Sequence, residues 1–103
     1  MNRTILGALA SLSLIACGSD VTAVTRLTGD AGNGETVFKA NCLGCHGADG
    51  KSGSAHRDIA AAAKDKTDEA VSVILDGKDE MQGFAGVLTS QQIADVVAYL
   101  KTK

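Results

Sequence analysis

The clearest pattern of hydrophobic positions lies near the C-terminus of the chain. Apolar residues recur there at i, i+3, i+4 and i+7, namely at Ile93, Val96, Val97 and Leu100. A stripe of this kind is typical of an amphipathic helix that buries one face. Thr89 or Ser90 is the candidate N-cap, and Thr89 with Gln92 fits a capping box. The pattern therefore predicts a helix that begins near residue 90.

Helical spacing also recurs in three earlier segments. The first predicted helix follows the candidate N-cap Asp30 and extends to Asn41. An alanine-rich stretch over residues 58–64 predicts a short second helix. A third begins at Thr67, with two acidic residues in its first turn, and ends at Gly77. Together these elements predict an all-α domain.

The first residues of the chain form an apolar run of another kind. Arg3 supplies a positive charge, and residues 5–16 are apolar or small. A run of about 12 residues suits the hydrophobic region of a signal peptide. A membrane-spanning helix would need about 20 residues. We predict that residues 1–16 are an export signal that is absent from the mature protein.

The end of this run, Leu14-Ile15-Ala16-Cys17, resembles the lipobox of bacterial lipoproteins. The resemblance implies cleavage before Cys17, whose thiol and new amino group would be acylated, and several acyl chains anchor a protein stably. An ordinary secretory signal with an incidental cysteine is the alternative. Residues 17–29 are rich in β-branched and hydroxyl residues, which are poor helix formers. We therefore expect a flexible tether there, followed by one folded domain over residues 30–103.

Composition adds a shortage of large side chains. The chain has 103 residues, enough for one domain, but no proline and only three aromatic residues, Phe38, Phe84 and Tyr99. So short a chain fills a core with difficulty, which favours a buried prosthetic group. The formal net charge of −2 selects no partner. No basic stripe with interleaved aromatic residues supports nucleic-acid binding.

The candidate chemistry lies in Cys42-Leu43-Gly44-Cys45-His46, which matches the C-x-x-C-H motif of c-type haem attachment. Two thiols three positions apart can form thioethers with the two vinyl groups of one porphyrin. His46 can then supply an axial imidazole to the iron. The motif predicts one covalent haem c held by Cys42, Cys45 and His46.

Three other roles compete for these cysteines. A redox disulfide of thioredoxin type needs a βαβ setting, and no strand pattern surrounds the motif. A zinc site needs four ligands, and no second spaced pair accompanies Cys42, Cys45, His46 and His56. A structural disulfide is compatible with an exported protein but leaves His46 without a role.

The second axial ligand has one principal candidate. Met81 lies between the last two predicted helices, about 35 residues beyond His46. Its neutral, polarizable thioether favours ferrous iron. The alternatives are His56, ten positions beyond His46, and an open or exchangeable iron position.

The stretch from about Asp30 to Lys103 resembles the class I cytochromes c. The motifs that carry the resemblance follow the family order, and they are Gly34…Phe38, Cys42-x-x-Cys45-His46, Ile74-x-x-Gly77-Lys78…Met81-x-x-Phe84 and Leu88-Thr89…Tyr99-Leu100. The resemblance implies a compact fold of three to four helices around one covalent haem. It also implies that the first and last helices of the domain cross, with Gly34 and Phe38 meeting Tyr99.

The chain departs from the family pattern beside the methionine ligand. Gln82-Gly83 follows Met81 where the family usually has proline, and the loop beyond His46 lacks proline as well. Because Gly83 adds backbone freedom, we expect a more mobile Met81 loop.

The expected function is one-electron transfer outside the cytoplasm, without catalysis. We expect a monomer that exchanges electrons with redox proteins and is anchored through Cys17 to a membrane that faces the periplasm. Gly18, which is not aspartate, favours the outer membrane if the cell is Gram-negative. The alternatives are a haem-based sensor or weak peroxidase with an exchangeable sixth ligand, and an exported lipoprotein without haem.

Overall fold

The computed structural model describes residues 20–103, so the predicted signal peptide and Cys17 lie outside the described residues. Within this range the chain forms six helices and no strand. They are α1 (Asp20–Thr25), α2 (Ala31–Asn41), α3 (Leu43–His46), α4 (Ile59–Asp65), α5 (Thr67–Asp76) and α6 (Ser90–Leu100). The predicted all-α fold is confirmed. The two helices beyond the expected number, α1 and α3, are short.

The caps that the sequence indicated are formed by side chains at the helix starts. Asp30 accepts a hydrogen bond from the backbone N–H of Asn33 at 3.1 Å. Asp58, which was not predicted to be a cap, caps α4 in the same way. The Thr89 hydroxyl accepts from the backbone N–H of Gln92 at 3.0 Å, and the Thr89 N–H donates to the Gln92 side chain at 2.8 Å. Such caps satisfy N–H groups that have no partner within a helix.

The pairing of α2 with α6 organises the core. Gly34 lies against the backbone of Asp95, where a Cβ atom would overlap the carbonyl oxygen. This close approach lets Phe38 meet Tyr99, with ring centroids 5.5 Å apart and ring planes tilted by 52°. Phe38 is fully buried, and α6 buries most of its length. The predicted contact between Phe38 and Tyr99 is therefore present, and the part of α6 nearest to Gly34 is the backbone of Asp95 and Val96.

Part of the predicted flexible tether is structured. Residues 20–25 form α1, which packs on α5 and α6, and Val24 is only 1% exposed. Val21 and Leu27 also pack against the core. The residues of this segment have weak helix propensity, but burial of apolar side chains outweighs propensity in a short helix. The folded unit of the described chain thus begins ten residues earlier than the boundary expected at residue 30.

None of the helices between residues 20 and 103 has both the length and the apolar character that a membrane-spanning helix needs.

Candidate haem-binding site

The C-x-x-C-H motif occupies a short helix directly after α2. The Cys42 N–H donates to the Phe38 carbonyl at 2.8 Å, which closes α2, and the His46 N–H donates to the Cys42 carbonyl at 3.1 Å. Cys42 is half-buried and Cys45 is exposed, and no disulfide joins them. Burial, with a smaller effect of the neighbouring Cys45, raises the pKa of Cys42 to about 11. The two thiols are therefore presented on one turn of backbone that the fold holds in place.

The loop after the motif folds back onto it. The Gly53 N–H donates to the His46 carbonyl at 3.2 Å, and the Ala55 N–H donates to the Cys45 carbonyl at 2.9 Å. The Asp49 carboxylate accepts backbone hydrogen bonds from Lys51 and Ser52 within the loop. The bond from Lys51, together with side-chain and backbone hydrogen bonds from Ser52, lowers the pKa of Asp49 to about 2. The loop thus fixes the backbone of the motif without any proline.

His46 is buried, with 8% of its surface exposed. Its Nδ1 atom is buried without a hydrogen-bond partner among the described residues. Burial lowers the pKa of His46, which favours the neutral imidazole. A neutral imidazole is the form that binds a metal. An unpaired polar atom at a buried position lowers stability, so packing alone does not explain a histidine at this position.

Met81 is held in the loop between α5 and α6 by backbone hydrogen bonds. Lys78 and Met81 exchange two such bonds, at 2.9 and 3.1 Å, across a tight turn. Farther along, the Phe84 N–H donates to the Ile74 carbonyl at 2.8 Å. Gly77 has a φ of 80° and lies against the Met81 carbonyl, so a side chain there would be strained. These bonds fix both ends of a loop from which the sequence led us to expect mobility.

A cleft of about 1040 Å³ brings these residues together. Cys42, Cys45, His46 and Met81 all line it, although Met81 is 35 positions from His46 in the chain. Phe38, Phe84, Ile59, Ile74, Val96 and Leu100 supply apolar walls. The residues fit a covalent haem, because two thiols, an unpaired buried imidazole and a thioether face one mostly apolar space of cofactor size. His56 lines the same cleft, so a place in the cleft wall does not by itself decide whether His56 or Met81 is the second axial ligand.

The rim of the cleft carries charges of both signs that the sequence pattern did not identify. They belong to Arg57, Asp58, Lys66, Glu69, Lys78, Asp79 and Glu80. The Arg57 guanidinium lies 3.6 Å from the Asp79 carboxylate, so an exposed ion pair joins two loops at the mouth of the cleft. His56 and Asp79 both have a φ of 55°, a left-handed conformation that is uncommon outside glycine. No local sequence signal links these loops, because the ion pair spans 22 positions of the chain.

The geometry of the cleft does not support the alternative roles of the cysteines, namely a zinc site or a disulfide. Between residues 20 and 103 no group of three or more His, Cys, Asp and Glu side chains is placed to hold a metal ion. No disulfide joins Cys42 to Cys45, the pair that the disulfide alternatives would connect.

Comparison with known proteins finds a family profile and several relatives that match most of the chain. The sequence profile of the family described as cytochrome C oxidase, cbb3-type, subunit III matches residues 29–100. Cytochrome c6 of Thermosynechococcus vestitus is 35% identical over 79 residues, which cover 72% of this chain and 70% of that protein. Cytochrome c6 of Limnospira maxima is 37% identical over 81 residues, which cover 70% of this chain and 91% of that protein. Cytochrome c6 of Gloeothece citriformis is 38% identical over 87 residues, with 73% of each chain covered.

Proposed function

This chain belongs to the class I c-type cytochromes and is a monohaem electron carrier with one covalent haem c, and from that premise we propose how its own residues hold the haem and where the protein works. It is not an enzyme, and its partners are redox proteins. We propose that Cys42 and Cys45 form the two thioethers and that His46 and Met81 are the axial ligands. We further propose that the mature protein is exported and held at a membrane by a lipid on Cys17.

The convergence of the motif and Met81 on one cleft is the observation that carries the assignment of ligands. The two thiols attach the group, the buried neutral imidazole provides a nitrogen, and the Met81 thioether provides a soft, uncharged sulfur. The bound haem supplies an iron that changes oxidation state by one electron. The apolar walls around these residues exclude water, and the fixed loops keep the ligands in position.

The backbone hydrogen bonds at both ends of the Met81 loop support a permanent role for the thioether. A ligand that stays bound in both oxidation states needs little rearrangement, which suits rapid electron exchange. The held loop also favours Met81 over an open iron position, because the side chain does not depend on a flexible segment to reach the cleft.

The proposal of a lipid anchor rests on Leu14-Ile15-Ala16-Cys17 and on the apolar run before it. Acylation of Cys17 would confine the carrier near a membrane. Confinement raises the effective concentration toward partners in the same compartment. We also propose that the anchored protein faces the periplasm, at the outer membrane if the cell is Gram-negative.

Expression with a cytochrome maturation system tests both parts of the proposal. We expect the wild-type protein to fractionate with membranes and to carry one haem, and intact mass measurement should show acyl chains. Cys17→Ser, expressed behind a secretory signal peptide that is cleaved before residue 17, should leave the haem in place and release the protein to the soluble fraction, whereas Gly18→Ala in the natural precursor is the matched control and should remain with membranes. A Cys17→Ser protein that still sediments with membranes would refute the anchor.

A further inference from the structure

Helix α1 joins the predicted anchor to the domain through very little chain. The first described residue, Asp20, is also the first residue of α1 and lies three peptide units from Cys17. Three residues reach at most about 11 Å when fully extended. A flexible tether over the whole of residues 17–29 would reach about four times farther. The length of free chain therefore depends on whether α1 is fixed to the domain.

The contacts of α1 and of the residues after it fix the segment along its length. Val24 is buried in the core, and the Leu27 N–H donates to the Val24 carbonyl at 3.0 Å. Gln91 of α6 donates its side-chain amide to the Thr28 carbonyl at 3.0 Å. A Cβ atom at Gly29 would overlap the Ala94 carbonyl, so the chain passes directly against α6.

The last tie connects this segment to α2. The Asp30 N–H donates to the Asp95 carboxylate at 2.8 Å, at the point where α2 begins. Between Val24 and α2 the chain is therefore held by α6 at three successive residues, Thr28, Gly29 and Asp30. No slack is left in this part of the described chain that would let the domain turn independently of α1.

Helix α1 and the haem cleft use different faces of α5. A small cavity of about 110 Å³ beneath α1 is lined on α5 by Thr67 and Val71. The haem cleft is lined on the same helix by Glu69, Ala70, Val73 and Ile74. With 3.6 residues per turn, the mean directions of these two sets differ by roughly 110°.

The same separation is found on α6. The cavity beneath α1 is lined there by Ala94, Val97 and Ala98. The haem cleft is lined by Val96 and Leu100, and the mean directions of the two sets differ by roughly 130° around the helix. The linings of the two spaces share no residue. The side of the domain where α1 lies is thus turned away from the cleft.

We infer that α1 sets the orientation of the domain on the membrane, with the haem cleft turned away from the lipid surface and toward water-soluble redox proteins. The inference rests on the proposed lipid at Cys17. Its physical basis is the short reach from Cys17 to a helix that cannot rotate relative to the cleft. The partner it fits is a protein that approaches from the aqueous side, and not a donor confined to the headgroup region of the same bilayer.

The test compares two oxidants of one chemical class in vesicles that carry the acylated holoprotein. One is a lipid with a ferrocenium group on its headgroup. The other is the water-soluble oxidised form of ferrocenemethanol, called ferrocenium methanol below. A variant with twelve Gly and Ser residues inserted between Ser19 and Asp20 lengthens the tether. The matched control carries the same insertion after Lys103, where it does not change the distance to the membrane.

Oxidation of the reduced haem is followed by stopped-flow absorption. We expect the insertion before Asp20 to speed oxidation by the lipid-borne ferrocenium at least about tenfold, because a long tether lets the cleft turn toward the bilayer. The rate with ferrocenium methanol should change by less than about twofold in all three proteins, because the soluble oxidant reaches the cleft in every orientation. Equal rates of wild type and insertion variant with the lipid-borne oxidant would overturn the inference.

A separate arm distinguishes failure of this inference from failure of the anchor. If mass measurement shows no acyl chain on Cys17, the anchor proposal fails by itself. The mature holoprotein has one thiol outside the two proposed thioethers, and Cys17 can then be coupled to a maleimide lipid. The same comparison of rates in these vesicles supports or overturns the orientation set by α1, whichever way acylation turns out.

Discussion

The backbone of Gly34 in α2 lies directly against the carbonyl group of Asp95 in α6, with no room for a side chain between them. The same residue, Asp95, also holds the start of α2 through its carboxylate, which accepts from the Asp30 N–H at 2.8 Å and from the Asn33 amide at 2.6 Å. Asp95 therefore joins α6 to α2 twice, once through its backbone and once through its side chain. This double contact sets the position of Phe38 and, through α2, of the haem motif that follows it.

Substitution at Gly34 should separate these helices. A Gly34→Ala side chain would overlap the Asp95 carbonyl, and because the obstacle is backbone, α2 must move. We expect the free energy of unfolding to fall by about 2 kcal/mol, as is usual for an overpacked core. Urea unfolding of the holoprotein, followed by circular dichroism, measures the change.

Gly32→Ala is the matched control in the same helix. A Cβ atom at Gly32 meets only the Asp30 carboxylate, at 3.4 Å, and alanine has the higher helix propensity. We expect this variant to be as stable as wild type or up to about 1 kcal/mol more stable. Equal destabilisation by both substitutions would mean that helix α2 is intolerant for a reason other than its contact with α6.

The buried carboxylate of Asp95 should make stability depend on acid. Burial alone would raise the pKa of Asp95, but hydrogen bonds from Asn33, Asp30 and Gln91 together outweigh it and lower the pKa below the ordinary value of 3.8. A lowered pKa means that the folded state favours the ionised form. The associated stability is complete above the unfolded pKa and is lost as the pH falls through the folded pKa.

Asp95→Asn should remove this dependence. We expect the variant to be less stable than wild type at pH 7, because the amide cannot accept from all three donors in the same way. The gap in stability should narrow as the pH falls below the unfolded-state pKa of about 4 and through the lower pKa of the folded state. Thermal melting of both holoproteins from pH 7 to pH 2 checks this, and a gap that stays constant over the range would assign the stability to another group.

The fold should also depend on the haem. The cleft is large for so small a chain, and its walls include the half-buried side chains of Ile59, Val73 and Ile74. Without the group, these side chains face solvent and lose apolar burial. We expect the double variant Cys42→Ala/Cys45→Ala to show no haem-stained band on a denaturing gel. We also expect it to lack the cooperative unfolding transition of the holoprotein.

Cys17→Ser is the matched control for that double variant, since it removes a thiol without touching the cleft. It should keep both its haem and its cooperative transition. A double variant that melts as cooperatively and at the same temperature as the holoprotein would show that the polypeptide fills its own core.

The sequence predicted the parts of the fold that depend on local patterns. The stripe on α6 follows from its spacing, the caps at Asp30 and Thr89 from their residue types, and the covalent haem cofactor from the C-x-x-C-H motif. Each of these signals is complete within a few residues. The family resemblance then supplied the crossing of α2 and α6, which no local signal contains.

The structural features that the sequence did not predict depend on partners far along the chain. Helix α1 has weak propensity and is stabilised when Val24 is buried against α5 and α6. Asp95 is ionisable and yet only 2% exposed. Hydrogen bonds from Asp30 and Asn33 stabilise its buried carboxylate, and because these partners lie more than 60 positions away, no local pattern predicts them. The one local hint was its position within the apolar run from Ile93 to Val97, where every neighbour is buried.

The proposed axial ligands, His46 and Met81, determine the chemistry of the haem iron, and the near-infrared absorption spectrum of the oxidised holoprotein tests the assignment of Met81. Thioether sulfur bound to ferric haem iron gives a weak band there. We predict that wild type shows the band, that Met81→Ala loses it and binds carbon monoxide when reduced, and that His56→Ala keeps it. Absence of the band from wild type, or its survival in Met81→Ala, would contradict the assignment of Met81 and turn the search for the ligand to His56.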